Sequence, residues 1–242
     1  MLKCNLFAVS AVSLLAAQFA LPAAAGDAWD VRLTPYLWAM GIDGDFHVRG
    51  HDFNSSADFS DIMDNMDIGG SVMLEANKGN WVNLVQFDYL AIDSGDVELR
   101  RASNKAQLKS DSTLGVVATG VRFHAGQRST IDALVGVRYI KLDTDFKIQN
   151  VGEVDGSSTQ YDGVVMLRPR LALSKYWTFS PTLSVGAGDS DLVWEMAPEF
   201  VYDCCGTEFR FGYRNLNYDL ENGNDSADIS ISGPVIGVGF AF

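Results

Sequence analysis

The final stretch of the chain, residues 233–242, constrains its fold more than any other segment. Four bulky apolar residues alternate there with four smaller ones: Ile236, Val238, Phe240 and Phe242 against Val235, Gly237, Gly239 and Ala241. Successive side chains of a strand point to opposite faces, so one face is bulky and the other is small. A strand with a lipid-facing side and a terminal aromatic residue is typical of the closing strand of a transmembrane β-barrel. The pattern therefore predicts an outer-membrane barrel.

The amino-terminal segment has the features of a secretory signal peptide. A short positive start, Met1-Leu2-Lys3, precedes an apolar stretch over residues 6–21 and the small residues Ala23-Ala24-Ala25. We predict cleavage after Ala25, which leaves residues 26–242 as a single barrel domain. The alternative is an uncleaved membrane anchor, which the short apolar run and the small-residue ending disfavour.

Beyond the signal peptide, no stretch reaches the roughly 18 unbroken apolar residues that a membrane helix requires. Every backbone N–H and C=O in hydrocarbon needs a partner, and a closed ring of strands supplies one without helices. The prediction is an all-β fold, a single transmembrane antiparallel up-and-down barrel of ten strands, with eight or twelve as alternatives. The predicted strands span residues 29–43, 66–76, 81–92, 110–123, 130–148, 162–173, 177–187, 191–202, 207–220 and 229–242.

The lengths of the connections predict an orientation. Short links are expected to be periplasmic turns, whereas longer links are expected outside the cell, so both termini lie in the periplasm. The short links are residues 77–80, 124–129, 174–176 and 203–206, and the longer ones are 44–65, 93–109, 149–161 and 221–228. The link at 188–190 is also short and departs from this rule.

Acidic residues outnumber basic ones by 31 to 18, which gives a formal charge of −13. This charge argues against nucleic acid as a partner. The expected partners are outer-membrane lipid, lipopolysaccharide and the barrel-assembly machinery; the barrel is expected to be a monomer without a cofactor. A solvated acidic surface is favoured over calcium or magnesium binding for the aspartates in and next to the first long link, which are Asp45, Asp52, Asp58, Asp61, Asp64 and Asp67.

The polar faces of the predicted strands bring many charged residues into the barrel interior. Seven are basic and seven acidic: Arg32, Arg122, Arg138, Arg168, Arg170, Arg210 and Arg214, with Glu75, Asp88, Asp132, Asp191, Glu195, Glu199 and Glu208. Unpaired buried ions cost several kcal/mol each, so a narrow barrel must pair them. Side chains also fill most of the interior of a barrel of about eight to ten strands. We therefore predict a lumen occluded by ion pairs.

Reactive side chains give little sign of catalysis. Loop histidines His47 and His51 could join Asp45 and Asp52 in a hydrolase site, but solvated loop residues are the favoured interpretation because their spacing matches no template. The adjacent cysteines Cys204 and Cys205 either form a strained vicinal disulfide or stay reduced. We assign no catalytic residue, metal site or redox function.

Several short motifs occur in order along the predicted strands: Leu37-Trp38-Ala39-x-Gly41, Ser190-Asp191-x-x-Trp194, Gly212-Tyr213-Arg214, Gly233-Pro234 and the terminal Phe242. Together they resemble a group of poorly characterised Gram-negative outer-membrane β-barrel proteins, over most of the mature chain. Asp189 departs from the pattern, which would have glycine there. The resemblance implies fold and location, and it carries no catalytic residue to this sequence.

The leading functional hypothesis is a structural or surface-interaction protein of the outer membrane that acts through the links 44–65 and 93–109. The alternative is a narrow, weakly selective passive channel, because a balanced lining would distinguish poorly between small anions and cations. An outer-membrane hydrolase is the least favoured hypothesis.

Overall fold

The computed structural model describes residues 29–48, 51–57, 66–93, 97–98, 105–148, 152–222 and 225–242. Within these ranges, strands and turns account for nearly all of the chain. This part of the chain contains no helix that is long and apolar enough to cross a membrane. The predicted signal peptide, residues 1–25, lies outside the described residues.

The strands alternate along the chain with short connections. In order they are β1 (Asp30–Trp38), β2 (Gly41–Val48), β3 (His51–Ala57), β4 (Met66–Lys78), β5 (Trp81–Asp93), β6 (Val97–Glu98), β7 (Lys105–His124), β8 (Thr130–Ile148), β9 (Gly152–Ala172), β10 (Trp177–Phe179), β11 (Thr182–Gly188), β12 (Leu192–Ala197), β13 (Glu199–Cys204), β14 (Thr207–Asn222) and β15 (Asp225–Ala241).

The sheet closes on itself into a barrel. Strand β1 pairs with β4 on one side and with β15 on the other, which joins the first and last strands of the chain. The ring runs β1-β4-β5-β7-β8-β9-β11-β12-β14-β15, and every neighbouring pair is antiparallel. Segments β10 and β13 continue β11 and β12 in the same wall. The prediction of an all-β, ten-stranded antiparallel barrel is confirmed.

Two prolines interrupt adjacent strands at the same level. Pro181 separates β10 from β11, and Pro198 separates β12 from β13. The flanking pairs are Phe179↔Phe200 and Thr182↔Ala197, so the two prolines lie opposite each other. Proline has no N–H to donate, and the ladder is therefore interrupted locally without a change of direction.

Both ends of the described chain lie at one end of the barrel, which we call the turn end. The Phe242 N–H donates to the Val31 carbonyl at 2.9 Å, which ties the last residue beside the first strand. The short links predicted at 77–80, 124–129, 174–176 and 203–206 connect strands at the same end, and their observed bounds are 79–80, 125–129, 173–176 and 205–206. The opposite end, where the longer hairpins extend, is called the loop end.

The strands continue further at the loop end than the sequence predicts. Pairing of β8 with β9 continues to Ile148↔Gly152, so the predicted link 149–161 is wrong, and the link 221–228 shrinks to residues 223–224. The predicted link 44–65 contains the β2–β3 hairpin, and 93–109 contains β6 and the start of β7. Backbone pairing persists after the apolar alternation stops, because it does not depend on lipid-facing side chains.

An apolar belt surrounds the barrel. Large hydrophobic residues occupy the outward positions of the ring strands and are exposed; examples are Val117, Val121 and Phe123 on β7, Val135 and Val137 on β8, Val165 and Leu167 on β9, and Phe209 and Phe211 on β14. On β9 the exposed apolar residues run from Tyr161 to Leu171, which at about 3.3 Å per residue and a tilt of about 40° spans about 25 Å. This height matches the hydrocarbon layer that an outer-membrane barrel crosses.

Aromatic residues border the belt at both ends. Trp29, Trp81, Tyr176 and Trp177 are exposed near the turn end, and Tyr161, Trp194 and Tyr213 are exposed toward the loop end. Trp177 also contacts Tyr202, with ring centroids 5.0 Å apart. Such aromatic girdles are expected at the two interfaces of a membrane, where an apolar ring and a polar edge are both accommodated.

Glycines on the inner face allow neighbouring strands to approach closely. A Cβ on Gly136 would lie 2.2 Å from the Val117 carbonyl oxygen, and one on Gly120 would lie 2.0 Å from that of Ala133. No real side chain fits at such distances, so these positions require glycine while the wall keeps its present curvature.

Candidate functional site: the barrel interior

Alternate residues of each ring strand point into the barrel and carry most of the buried charge. The inward residues near the turn end form a basal layer, defined as Arg32, Glu75, Arg168, Arg170, Glu199, Glu208 and Arg210. Those closer to the loop end form an upper layer, defined as Tyr36, Asp88, Arg138, Glu195 and Arg214. Bulky apolar residues, Trp38, Met40 and Met73 among them, are buried beside these layers.

Glu75 and Arg168 form the deepest pair of the basal layer. Arg168 Nη1 donates to Glu75 Oε1 at 2.8 Å, and each side chain is at most 3% exposed. Glu75 is on β4 and Arg168 on β9, which are separated by three strands on the shorter way around the ring. Arg210 Nη1 lies 3.9 Å from the second oxygen of Glu75. The pair therefore spans the interior instead of following the wall.

Glu208 and Glu199 complete the basal layer. Glu208 accepts from Arg170 Nη2 at 2.8 Å and lies 3.2 Å from Arg32 Nη1. Glu199 accepts from two nitrogens of Arg210, at 2.9 and 2.8 Å. Charge-assisted bonds of this kind fix arginine side chains in one orientation.

Arg122 and Asp132 form a separate pair on the wall. They are directly opposite each other on β7 and β8, and Arg122 donates to both carboxylate oxygens at 2.7 and 2.8 Å. This bidentate geometry is the strongest form of an arginine–carboxylate pair.

Arg214 is the centre of the upper layer. Its guanidinium donates to Asp88 at 2.9 Å and to Glu195 at 2.7 Å, and it lies 4.1 Å from the centre of the Trp38 ring. Asp88 also accepts from the Tyr36 hydroxyl. Because Asp88 and Arg214 are on β5 and β14, this pair also crosses the interior.

Arg138 extends the upper layer to the other wall. It donates to Glu195 and, at 2.9 Å, to Ser184 Oγ. Glu195 consequently receives two arginines, one from β8 and one from β14. All of the charged members of this layer are buried, with at most 4% of each residue exposed.

Between the two layers lies a cavity of about 30 Å³. It is lined from below by Arg168, Glu199 and Arg210, and from above by Glu195 and Arg214. A cavity of this size has room for one or two water molecules. Thr34 Oγ1, which belongs to the lining, is buried and has no hydrogen-bond partner among the described residues.

The structure places one acidic residue differently from the sequence prediction. Asp191 is exposed at the loop end, and Asp162 of β9 is buried in the interior in its place. The Asp162 carboxylate accepts from the Ser190 N–H at 2.9 Å and from the Ser190 hydroxyl at 3.0 Å. Asp162 is separated from Arg168 and Arg170 by an even number of positions, so its side chain points to the same inner face of the strand. This alternation could have identified it from the sequence.

The same region explains how aspartate replaces the expected glycine in the 188–190 turn. The Asp189 carboxylate accepts from the Tyr161 N–H at 2.9 Å, while Asp162 binds Ser190 from the opposite side of the turn. One carboxylate of the turn and one of β9 thus tie this tight connection to the neighbouring strand β9.

The carboxy-terminal strand has the two faces described from its sequence. Ile236, Phe240 and Phe242 are exposed in the apolar belt, and Val238 is half-buried there. Gly237 and Gly239 face the interior and are buried, next to Tyr36 and Thr34. Small residues are needed at these positions because the side chains of β1 occupy the adjacent space.

An acidic row lies above the belt at the loop end. Asp219, Asp228 and Asp45 face one another across β14, β15 and β2. Burial raises the pKa of Asp219, and the carboxylates of Asp228 and Asp191 raise it further. Like charges directly opposite each other destabilise a sheet, and this repulsion opposes the ionisation of Asp219.

The remaining candidate residues are the histidines and aspartates of the first long link. His47 and His51 are on β2 and β3, paired through the backbone with Asp52 and Val48. Asp58, Asp61 and Asp64 lie outside the described residues. Over the ranges that the structure describes, no group of three or more His, Cys, Asp or Glu side chains has the geometry of a metal site.

Comparison with known proteins reveals likeness in fold but not in sequence. No protein-family model matches the chain, and no curated protein matches it. Among solved structures it is similar to the outer membrane protease OmpT from Escherichia coli, with 6% identity, 92% of this chain and 99% of that chain covered, and a TM-score of 0.52.

Two further solved structures are more distant. The translocator domain of the autotransporter NalP from Neisseria meningitidis is 14% identical over 97% of this chain and 95% of that one, with a TM-score of 0.42. Ail, the attachment invasion locus protein of Yersinia pestis, is 8% identical over 88% and 99%, with a TM-score of 0.38. The likeness to OmpT establishes the fold alone: the chain folds as a β-barrel of the kind found in outer-membrane proteins.

Proposed function

We propose that this protein is an integral outer-membrane barrel whose lumen is closed by ion pairs, and that its role is structural or in surface interaction. The observation that carries the proposal is the pair of cross-lumen contacts, Arg168 with Glu75 and Arg214 with Asp88. Each joins strands far apart on the ring, at a different level of the barrel. No catalytic residue is assigned.

The energetic cost of separating the buried ion pairs supports a closed lumen. An ion that passed through the barrel would have to separate partners that are at most 4% exposed. Removing one member of a buried pair typically destabilises a protein by about 3–5 kcal/mol, because the other charge is left uncompensated. Two successive layers of such pairs therefore form a substantial barrier to passage.

The apolar belt supports lipid as the main partner. Its height of about 25 Å and its aromatic borders suit insertion in the outer membrane, where lipopolysaccharide forms the outer leaflet. In this arrangement the turn end, with both termini, faces the periplasm, and the barrel-assembly machinery inserts the chain from that side. A monomer suffices, because the ring closes within one chain.

The hairpins at the loop end support a role at the cell surface. β7, β8 and β9 continue well beyond the belt, and β2–β3 forms a hairpin of its own. Paired strands that extend outside the membrane offer a surface for contact with molecules outside the cell.

A narrow channel is the second candidate, and the cavity between the two layers favours it. Room for water at the centre of the lumen, beside the unpaired hydroxyl of Thr34, would be the first part of a continuous water path. With Asp162 included, seven arginines and seven carboxylates lie in the described interior, so such a path would show little preference between anions and cations.

Single-channel recording distinguishes the two candidates. The refolded protein is inserted into planar lipid bilayers, and current is measured across a salt gradient. Folding is verified independently by the β-sheet circular dichroism and by the altered gel mobility of the unheated protein. We expect no openings. Steady openings with a defined conductance would refute closure and establish the channel, and the reversal potential would then give its ion preference.

A further inference from the structure

Cys204 and Cys205 lie at the turn end, in the hairpin between β13 and β14. Cys204 pairs with Thr207, so Cys205 and Gly206 are the two central residues of the turn. Their φ angles are +61° and +82°. Two consecutive positive φ values are characteristic of the type I′ turn, which matches the twist of the strands that it connects.

The choice of cysteine is not explained by the turn itself. Type I′ turns favour Asn, Asp or Gly at the first central position. A residue with a Cβ held in the left-handed region costs about 1–3 kcal/mol, and Cys205 lacks the short polar side chain that lets Asn and Asp adopt it more easily. The hairpin thus has a cysteine in a strained backbone conformation, directly after another cysteine.

The turn brings the two thiols together. The Sγ atoms are 3.3 Å apart, and both cysteines are free. Cys205 is exposed and Cys204 is partly exposed, so small thiol reagents can reach both. A disulfide bond is about 2.05 Å long, and the sulfurs therefore need to approach by only about 1.2 Å to form one.

We propose that Cys204 and Cys205 are a redox modification site, which forms a reversible vicinal disulfide in the presence of a disulfide compound as oxidant. One thiolate attacks the oxidant R–S–S–R, forms a mixed disulfide and releases the first thiol. The second thiolate then attacks the cysteine sulfur, closes the ring and releases the second thiol. Two protons and two electrons pass from the cysteines to the oxidant.

This site goes beyond the proposed function, because it requires only an accessible hairpin. The thiol of Cys205 next to Cys204 raises the pKa of Cys204, and partial burial and Asp203 add to this effect. Because the thiolate is the attacking species, ring closure accelerates as pH rises above neutrality. The ring is strained and exposed, so it is expected to be easily reduced and to act as a labile switch.

Differential alkylation with mass spectrometry tests the proposal. The refolded full chain is incubated with oxidised glutathione, denatured, alkylated with iodoacetamide and digested, and the peptide that contains both cysteines is analysed. We expect this peptide to be two hydrogens lighter and unalkylated, and to become doubly alkylated after treatment with reduced glutathione. A glutathione adduct, a disulfide-linked dimer or unchanged alkylation would overturn the proposal.

Two controls isolate the contribution of the turn. Cys204→Ser and Cys205→Ser leave one thiol each in the turn, and both variants should stop at the glutathione adduct there. The same reaction in concentrated urea should form the ring at least about tenfold more slowly, because the unfolded chain no longer orients the thiols. Equal rates in the folded and unfolded chain would also contradict the proposal.

Discussion

Replacing Arg214 with methionine tests the energetics of the upper layer most sharply. The substitution keeps an apolar side chain of similar length and removes the charge that pairs with Asp88 and Glu195. Glu195 retains Arg138, whereas Asp88 keeps only uncharged donors, the Tyr36 hydroxyl and, at 3.5 Å, Gln86 Nε2. A buried carboxylate without a counter-charge is the main cost of this change.

The expected loss of unfolding free energy is about 3–5 kcal/mol, the range for removing one partner of a buried ion pair. The contact of the guanidinium with the ring of Trp38, at 4.1 Å, contributes about 1 kcal/mol of that loss. Adding Asp88→Asn to the variant removes the orphaned carboxylate. The double variant should therefore recover about 1–2 kcal/mol relative to Arg214→Met alone.

Reversible urea unfolding from phosphocholine vesicles, followed by tryptophan fluorescence, measures these differences. Arg128→Met is the matched control, because Arg128 is exposed at the turn end and donates only to the Lys175 carbonyl. The control should lose less than about 1 kcal/mol. A loss below about 1 kcal/mol for Arg214→Met, or no recovery in the double variant, would refute the reasoning.

Three further changes test other parts of the account. Asp219 has a raised pKa in the folded state, so wild-type stability should increase as pH falls through that pKa; Asp219→Asn should remove this dependence and raise the urea midpoint at pH 7. Gly136→Ala places a Cβ 2.2 Å from a carbonyl oxygen and should lower the refolded yield measured on gels, whereas Gly115→Ala, at 3.7 Å, should not. Asp162→Leu leaves the Ser190 N–H without its acceptor and should lower the unfolding free energy by about 1–3 kcal/mol in the urea assay.

The membrane-crossing part of the fold could be predicted from sequence because lipid imposes a strict alternation. Each wall strand must present an apolar residue at every second position, as Ile236, Val238 and Phe240 do on β15. This requirement disappears above the belt, where both faces meet water. The end of β8 at Ile148 was predicted, but the start of β9 at Gly152, which pairs with it, was not, because the predicted strand begins at residue 162.

The interior could be predicted only as a set of inward-facing residues. Strand parity places Arg168 and Glu75 on the inner face, but their contact joins residues 93 positions apart. That contact depends on the stagger of the strands around the ring, which a single sequence does not specify. Asp162 has the same inward parity, but it was missed because it was the first residue of the predicted strand 162–173, whereas β9 begins at Gly152.

The central claim is that ion pairs across the lumen close the barrel. The most direct test is the single-channel conductance of a variant that lacks one such ion pair in each layer. The variant combines Arg168→Ser with Glu75→Ser and Arg214→Ser with Asp88→Ser, so that net charge is preserved while both cross-lumen pairs are lost. We predict a silent wild-type protein and a folded variant with steady openings. Openings in the wild type, or a folded variant that stays silent, would contradict the account.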